Sequence, residues 1–414
     1  MPTIEDAARE AREASRLLRG VSAEQKNELL LALAERLLEQ KARIQEINKQ
    51  DLSAADEAGI SSAKRKRLVL NEEGVEQLAV GLRELAQLPD PVGQVTSEIE
   101  RPNRLKVKRV RVPLGVIAMI YEARPGVTID AFALCFKAGN ACLLKGGKEA
   151  SRSNELLAEI AKSVLEEHKL PSAAITAVTS GDREELKRML TLDKHIDLII
   201  PRGGEALIRF VHENTTIPTI QHFKGVCHAY VDAKADLDQA LGIVMNGKTS
   251  APATCNTLEC ALIHESVAHE FVPRLARACR DAGVEVRADE RAMSIDGSFT
   301  AAGEEEWGTE YLDLVMGLRV VDSLEGAISH IDRFGSLHTE VIVTNDERAA
   351  SAFLSRVDAS CVLHNASPRF NDGFQLGLGA EIGISTTKLH AYGPMGLAEL
   401  TTQRFVVIGD GQTR

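Results

Sequence analysis

Cys255 stands in small and polar company, in the run Ala251-Pro252-Ala253-Thr254-Cys255-Asn256-Thr257-Leu258-Glu259, just before the apolar, β-prone stretch Cys260-Ala261-Leu262-Ile263. A cysteine kept for packing behaves as a small buried hydrophobe and usually has branched apolar neighbours. A reactive one needs access and nearby donors that favour the thiolate. Cys255 is therefore a candidate nucleophile ahead of a strand. The competing reading is an inert thiol, one of seven cysteines in the chain.

Two glycine turns could hold an anion. Leu144-Lys145-Gly146-Gly147-Lys148-Glu149-Ala150 follows a strand-like run and opens a helix, and Ile199-Ile200-Pro201-Arg202-Gly203-Gly204-Glu205 repeats the arrangement. Glycine lets a ligand approach the backbone and a helix N-terminus favours negative charge, so a nucleotide phosphate would suit either turn. Neither has the spacing of a G-x-G-x-x-G or Walker A motif, and each alone reads first as a plain turn. Together, after neighbouring strands, they point to a nucleotide site at the strand ends.

The loop Asn365-Ala366-Ser367-Pro368-Arg369-Phe370-Asn371-Asp372-Gly373 either orients a carboxylate or phosphate through its amide, hydroxyl and guanidinium groups, or is an exposed polar turn. Cys227-His228 reads as structural, because adjacent strand residues face opposite sides of a sheet. His330 and His338 lack a clear third zinc ligand and read as capping or turn residues, so no metal site is expected.

These residues need a framework, and 414 residues are too many for one core, so two or three domains are expected. The balance of 49 basic against 60 acidic residues argues against a nucleic-acid or acidic-membrane binder, while leaving room for a basic pocket. The scattered cysteines suggest neither a disulfide framework nor structural zinc, and a reducing compartment. The acidic N-terminus lacks the apolar core of a secretory signal, and the longest apolar run, 112–121, is about half a membrane span. A cytoplasmic protein is expected.

Residues 3–50 read as amphipathic helices, with Ser22 and Gln25 forming a capping box before Leu29, Leu30, Leu33, Leu37 and Leu38. Helical patterning continues over 72–88. Residues 104–112 alternate apolar and basic, the pattern of a half-exposed strand whose basic face is solvated, paired with acids, or at an oligomer interface. Strand-like runs at 116–120, 141–144, 175–178 and 197–200 then alternate with helical stretches at 128–138, 151–168, 182–192 and 204–213, which argues for a parallel sheet covered by helices. A second α/β stretch spans about 237–362, with helices near 237–247 and 265–282, and 404–408 is the last strand candidate.

Taken in order, several segments resemble the aldehyde dehydrogenase superfamily, and within it the branch that reduces L-glutamyl 5-phosphate. They are Val112-Pro113-Leu114-Gly115-Val116-Ile117, Tyr121-Glu122-Ala123-Arg124-Pro125, Lys137-Ala138-Gly139-Asn140 running on through Lys145-Gly146-Gly147-Lys148, Pro201-Arg202-Gly203-Gly204, Gly225-Val226-Cys227-His228, Thr254-Cys255-Asn256-Thr257-Leu258-Glu259, the His330–Glu340 segment, Asn365-Ala366-Ser367 with Arg369-Phe370, Gly377-Leu378-Gly379-Ala380-Glu381, and His390-Ala391-Tyr392-Gly393-Pro394. The likeness covers nearly the whole chain.

The resemblance implies an α/β fold with a Rossmann-like cofactor domain, an α/β catalytic domain and a small β oligomerisation flap. The expected bounds are 1–103 and 116–230 for NADP binding, 231–385 for the catalytic domain, 104–115 and 400–414 for the flap, and 386–399 for a return to the cofactor domain. It implies Cys255 as nucleophile, with the Asn256 side chain joining the Cys255 backbone N–H at the oxyanion. Lys145 would hold the adenosine ribose, with Gly146, Gly147 and Lys148 beside it. Arg202, Gly203 and Gly204 would face the pyrophosphate, and Glu310 the nicotinamide ribose. Arg124, Asn365, Ser367 and Arg369 are candidates for the substrate's anionic groups. NADPH would reduce a Cys thioester to L-glutamate 5-semialdehyde, in proline biosynthesis. A homo-oligomer and a glutamate 5-kinase partner are further expectations, with neither nucleic acid nor membrane.

The chain departs from hydrolytic members of the superfamily in two places. Tyr121-Glu122-Ala123-Arg124-Pro125 stands where they carry an Asn that donates to the oxyanion. The position of their water-activating Glu falls near His222, in Gln221-His222-Phe223-Lys224-Gly225. Loss of that base suits a thioester that is reduced rather than hydrolysed. Phe334 is a local variation within the branch. A hydrolytic NAD(P)-dependent aldehyde dehydrogenase and a non-catalytic nucleotide-binding scaffold are the alternatives.

Overall fold

The computed structural model describes residues 3–179 and 182–414. They form two compact units. One holds the chain up to Gln221, with Gly377–Gly383 and Met395–Arg414, and the other holds His222–Leu376 with Ile384–Pro394.

The first unit opens on helices whose starts are written locally. The helix Ala23–Glu39 begins with a reciprocal box in which the Gln25 amide donates to Ser22 Oγ at 3.3 Å and the Ser22 amide to Gln25 Oε1 at 3.0 Å. Its Leu29, Leu30, Leu33 and Leu37 recur at helical spacing and are fully buried. The helix Ile4–Leu18 is boxed in the same way by Thr3 and Asp6. Its Arg12 makes a bidentate pair with Asp197, at 2.7 and 3.0 Å. Asp197 also accepts from the Val116 amide at 2.8 Å, so one carboxylate ties this helix to the start of a sheet strand.

That sheet has four parallel strands in the order Ile175–Ala177, Ala141–Lys145, Val116–Tyr121 and Leu198–Arg202. Val116–Tyr121 and Ala141–Lys145 are buried along their whole length, as a sheet covered on both faces requires. A separate antiparallel sheet joins Val95–Glu100, Lys106–Pro113 and Thr401–Ile408. The basic strand pairs on one side with the C-terminal strand and on the other with an acidic strand that the sequence pattern had not disclosed. Glu98 stands opposite Lys108 and Glu100 opposite Lys106, with an ion pair of 3.2 Å at the first.

The second unit is built on seven parallel strands in the order Thr300–Ala301, Glu285–Ala288, Val315–Val321, Leu258–His264, Cys227–Val231, Thr339–Val343 and Cys361–His364. Ala229, Val231, Ala261, Ile263, Val341 and Val343 alternate onto one apolar face, packed against the helices Leu237–Thr249 and Glu265–Asp281. Tyr230, Leu262 and Ile342 take the other face. Several expected boundaries move: Val95–Glu100, expected in the cofactor domain, pairs in the antiparallel flap sheet, and Gly377–Gly383, expected in the catalytic domain, belongs to the first unit. Residues 227–230, expected in the cofactor domain, lie on the strand Cys227–Val231 inside this sheet, between Leu258–His264 and Thr339–Val343. Residues 386–394 also belong here, and the chain rejoins the first unit only at Met395. Among the described residues, no helix is long and apolar enough to cross a membrane.

Candidate active site

In the second unit, the helix Leu237–Thr249 ends three residues before Pro252, and the chain turns through Thr254-Cys255-Asn256 before entering the strand Leu258–His264. Cys255 is half-buried on that turn. Side-chain clamps hold it on both sides. Thr254 Oγ1 donates to Ala251 O or to Asn256 Oδ1, 2.8 and 3.0 Å away, and the Asn256 amide donates to Asn371 O at 3.0 Å. Asn256 is buried, and both ends of its amide grip the loop. The side chain clamps the Cys255 turn with its Oδ1 and one of its two Nδ2 hydrogens.

The floor of the site comes from the segment before Cys227–Val231. A Cβ on Gly225 would lie 2.0 Å from the Cys255 carbonyl oxygen, so only glycine lets the two backbones meet. The Gly225 amide donates to Glu310 Oε1 at 2.8 Å, which puts Glu310 behind the nucleophile loop. Cys227 Sγ lies 3.2 Å from the Cys255 carbonyl oxygen. Burial raises the Cys227 thiol well above its ordinary value, so the second cysteine of the site stays a neutral donor. Its neighbour His228 points the other way, with Nδ1 3.0 Å from buried Glu340, as strand alternation requires.

Two histidines flank the nucleophile. One ring nitrogen each of His222 and His338 and the Cys255 sulfur lie within 4.8 Å of one another. His222 Nδ1 is 2.8 Å from the Ile384 carbonyl oxygen. A carbonyl only accepts, so Nδ1 carries a proton and Nε2 is the ring nitrogen left to act as base. His338 is fully buried, and burial with the nearby His222 pulls it down to about 3, so its ring is neutral at pH 7. Its Nδ1 lies 2.7 Å from Thr339 Oγ1, a hydroxyl that also accepts from Asn371 Nδ2 at 2.8 Å. Its Nε2 has no hydrogen-bond partner among the described residues. The capping role expected of His338 is thus replaced by a place beside the nucleophile. No sequence spacing signals this, because His222, Cys255 and His338 come from three separate segments.

The loop after Cys361–His364 contributes unequally. Arg369 Nη1 donates to Thr254 Oγ1 at 2.8 Å, which brings a guanidinium to the nucleophile turn. Ser367 is buried and its Oγ accepts from the Arg369 amide at 3.3 Å, fixing the short helical turn Pro368–Phe370. Asn365 differs: its Oδ1 accepts from the Thr344 amide at 2.9 Å and its Nδ2 donates to the Thr344 carbonyl at 3.0 Å. Both ends of that side chain are used in joining two strand ends.

Below the Cys255 turn, Glu259 and Lys248 form a fully buried pair at 2.7 Å. Glu259 Oε1 also accepts from the Leu312 amide at 3.1 Å. Burial pushes the Glu259 carboxyl up to about 7 against the pull of Lys248, and burial lowers Lys248. The pair joins the helix before the turn to the strand after it.

The first unit carries the two glycine turns. Lys145 ends a buried strand, and burial lowers its ammonium. Gly146 follows, where a Cβ would strike Asn154 Nδ2 at 2.0 Å. Then come Gly147, an exposed Lys148 and the helix Ser151–Glu167. Arg202 Nη1 donates to the Ile382 carbonyl at 2.9 Å, and Gly203-Gly204 lead into the helix Glu205–Asn214. Arg124 lies in the turn between Val116–Tyr121 and the helix Val127–Lys137. In the helices that follow these three adjacent strands the residue at the N-cap offers no side-chain cap, although Asp51 Oδ2 accepts from the Ser153 amide in the first turn of Ser151–Glu167 at 2.8 Å. The first amides of Val127–Lys137 already donate to the Arg124, Pro125 and Gly126 carbonyls, whereas Glu205–Asn214 begins just past the carboxyl end of its strand, where a helix N-terminus suits phosphate oxygens. There Glu122 Oε2 lies 3.4 Å from the Gly204 amide.

Comparison with known proteins agrees with this geometry. Residues 2–295 match the model of the aldehyde dehydrogenase family. The chain is 51% identical over 411 residues to a γ-glutamyl phosphate reductase of Geobacter metallireducens, covering 99% of this chain and 98% of the relative. It is 52% identical over 404 residues to one of Thermus thermophilus, covering 98% of each. The crystal structure of a γ-glutamyl phosphate reductase from Thermotoga maritima superposes with a TM-score of 0.97 at 40% identity, covering 99% of both chains. With a cysteine on the turn before a buried strand, and near-complete overlap with these relatives, the chain belongs to the aldehyde dehydrogenase family, among the γ-glutamyl phosphate reductases.

Proposed function

We propose that this chain reduces L-glutamyl 5-phosphate to L-glutamate 5-semialdehyde and phosphate through a thioester on Cys255, with NADPH as reductant, as a step of proline biosynthesis. Full-length identity of about half to γ-glutamyl phosphate reductases, together with Cys255 on its clamped turn, carries this reading.

Cys255 attacks the acyl carbon, and phosphate leaves once the tetrahedral intermediate collapses. Nε2 of His222 is the nearby base for the thiol proton, its orientation fixed by the Ile384 carbonyl. The Cys255 amide serves the oxyanion, an interaction worth roughly 3 kcal/mol. Arg369 orients the phosphate or the carboxylate from its position on Thr254. Lys145, Gly146, Gly147 and Lys148, with Gly203 and Gly204, hold the cofactor at the two glycine turns after the sheet strands. When bound, NADPH supplies the hydride that reduces the thioester. The ammonium groups of Lys145 and Lys148 favour its extra phosphate over NADH.

The antiparallel flap supports a homo-oligomer, since Val95, Ile99, Phe405, Val407 and Ile408 leave apolar side chains exposed there. A cytoplasmic location suits seven cysteines among which the structure has no disulfide. A glutamate 5-kinase that hands over its labile product is the partner the chemistry suggests.

The deciding experiment runs the reaction backwards: NADP⁺ reduction by glutamate 5-semialdehyde, with and without inorganic phosphate, for wild type and Cys255→Ala. Strict dependence on phosphate, lost in the variant, is expected. Turnover without phosphate would mean that water resolves the thioester, as in an aldehyde oxidiser.

A further inference from the structure

We infer that His222, Cys255 and His338 form a site for a soft divalent cation such as Zn²⁺, which closes the enzyme by occupying its nucleophile. The ligand set is two imidazoles and a thiolate whose donor atoms already lie within 4.8 Å of one another. Tetrahedral zinc holds its ligands roughly 3.5 Å apart, so binding draws these atoms together.

The second contacts decide which atoms are available. His222 Nδ1 is held by the Ile384 carbonyl, the arrangement that fixes a metal-binding imidazole with Nε2 forward. His338 Nδ1 lies against Thr339 Oγ1, and its Nε2 is buried without a hydrogen-bond partner among the described residues. A buried polar atom left in that state is uncommon, and a metal would satisfy it. On binding, the Cys255 thiol releases its proton to solvent and the sulfur gives a lone pair to the metal. The fourth position stays open to water.

A similar trio, His228, Cys260 and His330, does not compete. All three are buried, and Arg319 Nη1 donates to His330 Nδ1 at 2.9 Å. The lone pair on that ring is therefore spent and a guanidinium stands beside the cluster. Burial also pushes the Cys260 thiol far up, away from the thiolate that a metal needs.

Inhibition by the metal rests on the reading of Cys255 as nucleophile, but binding does not, and the test separates them. Co²⁺ titration of the whole protein is expected to give a thiolate-to-cobalt charge-transfer band saturating at one metal per chain. Zn²⁺ should displace the Co²⁺ and protect Cys255 from iodoacetamide. The band should vanish in Cys255→Ala, and His222→Gln and His338→Gln should each weaken binding at least about tenfold. Cys260→Ala should leave it intact. Absence of a band at saturating Co²⁺, or a band that survives Cys255→Ala, overturns the proposal. A band and Zn²⁺ binding without loss of reductase activity would uphold the site and overturn the nucleophile reading instead.

Discussion

Gly225 and Cys255 meet backbone to backbone, with no room between the Gly225 Cα and the Cys255 carbonyl for even one methyl group. Gly225→Ala should therefore push the nucleophile turn out of place. Overpacking of this kind costs about 1–3 kcal/mol in stability. Activity should suffer more, since a shift of about 1 Å in a reacting group can cost roughly 100-fold. Wild-type kcat in a variant that remains folded by circular dichroism would show that the contact does not position Cys255.

Arg369 reaches the same turn through Thr254. Arg369→Lys keeps the charge and loses the planar fork, so the KM for phosphate in the reverse reaction should rise at least about tenfold, with a smaller change in kcat. An unchanged KM would remove Arg369 from the substrate's surroundings.

Asn365 adopts φ of +54°, and both ends of its amide bind the Thr344 backbone. Asn365→Ala should cost about 2 kcal/mol in urea unfolding while leaving KM near wild type. A raised KM at unchanged stability would restore the substrate-binding role expected from sequence.

Lys248 and Glu259 are a pair that the fold tolerates only whole. Lys248→Met strands a buried carboxyl and should destabilise by about 3–5 kcal/mol. Adding Glu259→Gln, which keeps an oxygen for the Leu312 amide, should recover much of that loss. Equal destabilisation of the single and double variants in chemical unfolding would count against the coupling.

His330 sets part of the acid limit. Burial first, then the positive charge of its neighbours, holds it far below its ordinary 6.5, at about 2. Between these values the unfolded chain binds a proton that the folded chain refuses, so stability falls as pH falls from 6.5. The slope is up to about 1.4 kcal/mol per pH unit. The stability gap between wild type and His330→Gln should accordingly shrink from pH 6.5 to 4.5. A gap independent of pH over that range would mean that His330 titrates normally.

Much of this was legible in the chain. The capping box at Ser22, the strand–helix alternation after Val116 and the Cys255 turn are local signals that tertiary structure leaves intact. The Val95–Glu100 strand escaped notice because every residue in it is exposed, so burial imposes no alternation on its pattern. Thr339–Val343 is buried on both faces and shows none either. His338 went unrecognised for a different reason: its meaning lies in what stands across the sheet from it.

The antiparallel flap also bears on how the chain is made. Arg109 and Gln403, hydrogen-bonded at 3.2 Å, are separated by 294 residues. During synthesis at about 5–20 residues per second, the strand Lys106–Pro113 waits on the order of tens of seconds for its C-terminal partner. An open strand edge of that duration invites pairing with another nascent chain. Lys106, Lys108, Arg109 and Arg111 give this strand four positive charges, so two such open edges repel until the C-terminal strand Thr401–Ile408 arrives. The basic pattern thus guards the chain before it is complete.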